Sequence, residues 1–409
     1  MAPATSFTVA RMRLALLLLV ACGATPAAPA VVQPSHMAPE STTAADELRA
    51  AKFDAAARDA SRALEHDPHD SRAAAVRAIA NYQAAGNELY LKLAGVIDRA
   101  EHFTAFDHED GRAAWRAFAE RLDSIDADLA IVGADPSFSL ELCMACWEHD
   151  WNHHGGIDDR DRRLFELEYD GKGGRYEEGD PRRRPTFRFD VGDAEWARAM
   201  IAFQHAAVEL VLAYRWSDLD KLLYKGDPTL TIRLFDRSRV AHARALILDG
   251  LAHADSCRAL YLAETDDDRE WVPSPRQKSH PIPLEVDDAL FATWGAITGD
   301  VRRLLTSEEG LSIREIAQLV DRRAALLAPD AYVDVGRMLR EPTNFSIDLK
   351  NASATPAGVE TTLRNLLGNG YATAMKPSPL PGRLMGMMKT LESGGETFEH
   401  KLRYLFWLN

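Results

Sequence analysis

The chain has 409 residues, 46% hydrophobic and 27% charged, which excludes wholesale disorder and collagen-like architectures and leaves room for two or three domains. Lys and Arg number 48 against 62 Asp and Glu, for a net charge of −14. So acidic a chain is a poor non-specific nucleic-acid binder, and no nucleic-acid partner is expected. Four cysteines are too few for a disulfide scaffold.

Arg11 and Arg13 precede the apolar run Leu14–Ala21, followed by Cys22-Gly23. Basic residues, a short apolar core and small residues make a secretory signal over 1–21. The run is too short for about 30 Å of hydrocarbon, which a helix of roughly 20 apolar residues spans. Leu19-Val20-Ala21-Cys22 resembles a bacterial lipobox. That resemblance implies lipidation of Cys22 and an anchor in the membrane. Gly23 rather than Asp implies the outer membrane of a diderm envelope. Residues 22–40, rich in Ala, Pro and Thr, read as a flexible tether of roughly 25 Å span.

Residues 41–100 read as a helical hairpin. Ala44, Leu48, Phe53, Ala57, Ala60, Ala63 and Leu64 recur at helical spacing, and Asp67-Pro68 stops that helix. A second helix begins after Asp70 with Ala74, Val76, Ile79 and Tyr82. The spacing from Leu48 through Phe53, Ala57 and Ala63 to Pro68 resembles one tetratricopeptide unit. One unit buries no solenoid core, so a peptide groove from this segment alone is not expected.

The body, 101–409, carries the most informative stretch at 150–161, Asp150-Trp-Asn152-His-His154-Gly155-Gly156-Ile157-Asp158-Asp159-Arg160-Asp161. It resembles an EF-hand loop. Asp150, Asn152, His154, Gly156, Asp158 and Asp161 then stand at positions one, three, five, seven, nine and twelve. A hard calcium ion takes six to eight oxygens, so alternate side chains must converge while the chain turns. Gly155 supplies the turn, the Gly156 carbonyl is a ligand, and Asp158 acts through water. Ile157 should point into the core. Leu140, Met144 and Trp147 predict an entering helix, and Leu164, Phe165 and Leu167 an exiting one. His154 in place of an oxygen and the short Asp161 place affinity in the weak range, on the order of 10⁻⁴–10⁻³ M.

Cys143-x2-Cys146-x2-His149-x3-His153 brings borderline zinc ligands together, although not at zinc-finger spacing. Buried free thiols are the first expectation here. A disulfide, Cys143–Cys146 or either with Cys257, is the alternative outside the cytoplasm. Further on, Thr186–Asp190, Pro228–Leu234 and Phe345–Leu349 read as short strands. Helices are expected from an Asp193 N-cap, over about 238–264, 285–305, 312–327 and 330–340, and over Val359–Leu367. Asp249, His253 and Cys257 share one helix face, most simply around a hydrogen-bonded core histidine. Met385, Met387 and Met388 read as core. Tyr404–Asn409 reads as docked.

The sequence therefore predicts a mainly α protein with a few short strands. The leading reading is a lipid-anchored envelope protein that binds calcium, with a structural or partner-binding role. A zinc-dependent enzyme and a tetratricopeptide-type adaptor are the alternatives. No phosphate-binding loop, dinucleotide fingerprint, HExxH, GxSxG or kinase set occurs.

Overall fold

The computed structural model describes residues 39–101, 108–151, 153–169, 174–220, 228–282, 286–320, 322–348 and 355–391. The expected signal, Cys22, nearly all of the tether, Asn152 and Tyr404–Asn409 lie outside these residues. The protein is mainly α with short antiparallel strands. No helix among the described residues is long and apolar enough to cross a membrane.

Helices α1 (Pro39–Arg49), α2 (Phe53–His66), α3 (Ser71–Glu101) and α4 (His108–Gly133) pack pairwise in chain order. The tether expected over 22–40 therefore gives way to helix at Pro39. The expected single helix up to Asp67 is two. It breaks at Ala51, whose φ is +56°, where the Lys52 amide donates to the Glu47 carbonyl at 2.9 Å and the Ala51 amide to Leu48 at 3.0 Å. This left-handed closure normally calls for Gly, so Ala51 hid it from a sequence reading. Asp67 leaves α2 extended before Pro68, as the stop signal required. Asp70 then starts α3, its Oδ1 accepting from the Ala73 amide at 2.9 Å and from Ser41 Oγ on α1 at 3.2 Å. Ala73, Ala74, Ala78 and Ala80 are buried along α3, and small side chains let helix backbones approach.

Strand β1 (Leu140–Leu142) follows, then the 150–161 loop, α5 (Asp159–Arg162), β2 (Phe187–Phe189) and α6 (Val191–Ala213). β1 pairs antiparallel with β2, Leu140 opposite Phe189 and Leu142 opposite Phe187. Leu140 and Leu142 are buried while Glu141 is exposed, a two-residue period. The entering helix expected from Leu140, Met144 and Trp147 is thus a strand and a single 3₁₀ turn, Met144–Cys146. The exiting helix is one turn, α5. At α6 the cap is Asp190 rather than Asp193: Asp190 Oδ1 accepts from Gly192 at 2.7 Å, and Asp193 Oδ2 accepts from the Asp190 amide at 2.9 Å.

The chain continues through β3 (Thr229–Ile232), α7 (Arg237–Ala263), α8 (Asp288–Leu305), β4 (Leu311–Ser312), α9 (Ile313–Val320), α10 (Arg322–Leu327), β5 (Tyr332–Val333), α11 (Val335–Arg340), β6 (Phe345–Asp348), α12 (Pro356–Leu367), β7 (Tyr371–Ala372) and α13 (Leu380–Leu391). Its described parts form two compact units, one from 39–202 with 252–292 and 387–391, the other from 203–251 with 293–386. The first has its core around Leu48, Leu122, Ile125, Leu140, Leu167, Phe187 and Tyr261. An aromatic group of Phe53, Trp147, Trp151 and Phe165, with centroids 5.3–6.3 Å apart, underlies the 150–161 loop. The second contains the β3–β6 ribbon and the β4–β5–β7 sheet. The helix expected over 330–340 begins only at Val335, because Tyr332 and Val333 pair with β4 and β7. Met385 is 41% exposed, so it is not core.

Candidate functional site

The 150–161 loop is organised by its own carboxylates. Asp150 Oδ1 accepts from the His154 amide at 3.2 Å, and Oδ2 from Gly155 at 2.8 Å. Gly155 has φ +98°, a conformation that L side chains rarely adopt. Asp158 caps α5, accepting from the Arg160 amide at 2.7 Å and the Asp161 amide at 3.1 Å. Asp161 completes a reciprocal capping box by accepting from the Asp158 amide at 2.9 Å. Its other oxygen accepts from Trp151 at 3.0 Å, drawing the two ends of the loop together.

One ligand atom each from Asp150, His154 and Asp161 lies within 4.8 Å of the others. Asp161 is buried, Asp150 half-buried and His154 exposed. The His154 ring lies between two acids, Nδ1 3.3 Å from Asp150 and Nε2 3.2 Å from Asp158. Desolvation works against ionising Asp150, but the Gly155 and His154 amides and the His154 ring hold its pKa below the usual carboxylate range. The Asp161 amide, then that of Arg160, does the same for Asp158. Gly156 is exposed, with room around its Cα. Ile157 is 38% exposed and does not pin the loop from the core. Phe165, buried beyond α5, instead packs against Trp151 of the loop, ring centroids 5.5 Å apart.

Cys143 and Cys146 form a disulfide. The expectation of buried free thiols holds only for Cys257, and the disulfide takes both thiolates out of the proposed zinc quartet with His149 and His153. His153 instead contacts Asn87 of α3. His253 is a hydrogen-bonded histidine, Nδ1 2.9 Å from Glu195.

Two further groups escaped the sequence reading. Asp190, Glu264 and Glu270 bring one carboxylate oxygen each within 4.8 Å, a set whose chemistry suits a hard dication. Asp193 adjoins it, bonded to Tyr261 Oη at 2.8 Å. Burial, reinforced by the Asp190 charge, raises Glu264 to about 9 and Glu270 to about 7. The other group is His205 and Glu209 on α6 with His242 on α7, again within 4.8 Å. A His-x3-Glu pair inside a predicted helix was the available signal for it, since residues four apart share a helix face. A third feature, an apolar cavity of about 270 Å³ lined by Leu210, Tyr214, Trp216, Val240, Leu339 and Phe345 among others, presents no carboxylate, histidine or cysteine.

No protein-family model, no curated protein and no solved structure matches this chain.

Proposed function

We propose that this chain is a lipid-anchored cell-envelope protein, held at the outer membrane through Cys22, that binds calcium in the 150–161 loop. The role of the ion is structural: it stiffens the surface that this loop presents to a protein partner. The observation that carries the reading is the Asp150 carboxylate, which accepts the amides of the fifth and sixth loop residues while Asp161 closes the far end. The Cys143–Cys146 disulfide supports export, because disulfides persist outside the reducing cytoplasm.

His154 sets the affinity. Its ring, 3.3 Å from Asp150 and 3.2 Å from Asp158, stands at the fifth loop position where calcium sites use an oxygen, and the dissociation constant falls on the order of 10⁻⁴–10⁻³ M. The test is calorimetric titration of calcium into the wild type and into Asp150→Asn, which keeps an acceptor for the turn but loses the charge. The wild type should show one weak site and the variant none. Identical heats for the two proteins, or no heat for the wild type at millimolar calcium, would overturn the proposal.

A further inference from the structure

A second and chemically different cation site is built on α6 and α7. His205 and Glu209 are four apart on α6, so they project from one face, and both are buried. His242 comes from α7 and is half exposed. His205 Nε2 lies 3.7 Å from Glu209 Oε1, and His242 Nδ1 lies 3.8 Å from Glu209 Oε2. The two rings meet edge to face, centroids 5.3 Å apart.

Donor atoms that all lie within 4.8 Å of one another share a point at most about 2.8 Å from each. Zinc needs 2.0–2.2 Å to nitrogen and oxygen donors, so side-chain shifts of less than about 1 Å would seat it. Two imidazole nitrogens and one carboxylate oxygen are a borderline donor set. Such a set suits zinc and its transition-metal neighbours and is poor for calcium, which takes oxygens. Arg239 Nη1 donates to Glu209 Oε1 at 2.7 Å. That contact leaves Oε2, the oxygen nearer His242, for a metal, with Arg239 orienting the carboxylate from outside.

We infer that His205, Glu209 and His242 form a three-ligand site for a zinc-class dication, with solvent reaching the fourth position past the half-exposed His242. The site is independent of the calcium loop in both residues and donor chemistry.

The test uses the full chain, purified without a polyhistidine tag, stripped with chelator and titrated with Zn²⁺ against a chromophoric competitor, then with Co²⁺. The wild type should take up one Zn²⁺ tightly and show the visible bands of four-coordinate cobalt. His242→Ala, a change at a half-exposed position, should lose those bands and bind zinc more than about 100-fold more weakly, while Arg239→Gln should lose about 10–100-fold. His154→Ala controls for the histidines of the loop and should bind as the wild type does. Unchanged zinc affinity in His242→Ala, or loss of binding in His154→Ala instead, would overturn the assignment. X-ray absorption on the zinc-loaded wild type reads the site without any variant: two imidazoles with oxygen donors are expected, and a sulfur or oxygen-only shell would refute it.

Discussion

The amide of Gly155 donates a 2.8 Å hydrogen bond to Oδ2 of Asp150, and Gly155 can do so because its φ is +98°. A methyl group there would meet open space, so the cost of Gly155→Ala is conformational and not steric. That cost is about 1–2 kcal/mol. Under the proposed function, calcium affinity should therefore fall about tenfold. Titration calorimetry measures that fall.

Ala51 occupies the left-handed position that closes α1, at φ +56°. Ala51→Gly removes the strain of about 1–2 kcal/mol but frees the unfolded backbone at a cost of roughly 0.5–1 kcal/mol. Net stabilisation of about 0.5–1 kcal/mol is expected, read as a raised denaturation midpoint with an unchanged slope. A lowered midpoint would show that the buried Ala51 methyl matters more than its backbone.

The Cys143–Cys146 bridge closes a very short loop, so its contribution through the unfolded chain is about 2 kcal/mol. Replacing both cysteines with serine should lower stability by that amount. Reductant should shift the wild type by a similar amount and leave the double variant alone. A thiol assay on the unfolded, unreduced protein should find neither of these two cysteines free.

His280 is partly buried, with Nδ1 2.9 Å from the Ile282 carbonyl. Burial lowers its pKa below 6.5, assisted by Lys278 and opposed by the Ile282 carbonyl and Asp267. The unfolded chain then takes up its proton first as pH falls. The stability contributed by neutral His280 is complete above pH 6.5 and is lost as pH drops below it toward the folded-state value. Melting temperatures between pH 7.5 and 5.5 should therefore fall more steeply for the wild type than for His280→Gln, which keeps a donor for Ile282.

The mainly helical character was legible because helical periodicity is written in residues three and four apart. The loop was legible for a similar reason: the carboxylates of Asp150, Asp158 and Asp161 accept from amides at most ten residues away, that of Gly155 among them. The short strands Phe187–Phe189, Thr229–Ile232 and Phe345–Asp348 fall inside the segments that read as strands. The flank of the loop was not legible. Leu140, Met144 and Trp147 fit a helix as well as the observed strand and turn, and only pairing with Phe187–Phe189 decides between them. The break at Ala51 was hidden because its backbone angle lacks the glycine that usually marks it.

Local spacing thus determined which segments are helical and where the chain bends around Asp150. Tertiary structure alone decided that Asp190 meets Glu264 and Glu270, and that His205 and Glu209 meet His242. These meetings depend on where the chain returns in space, which no short window of sequence records.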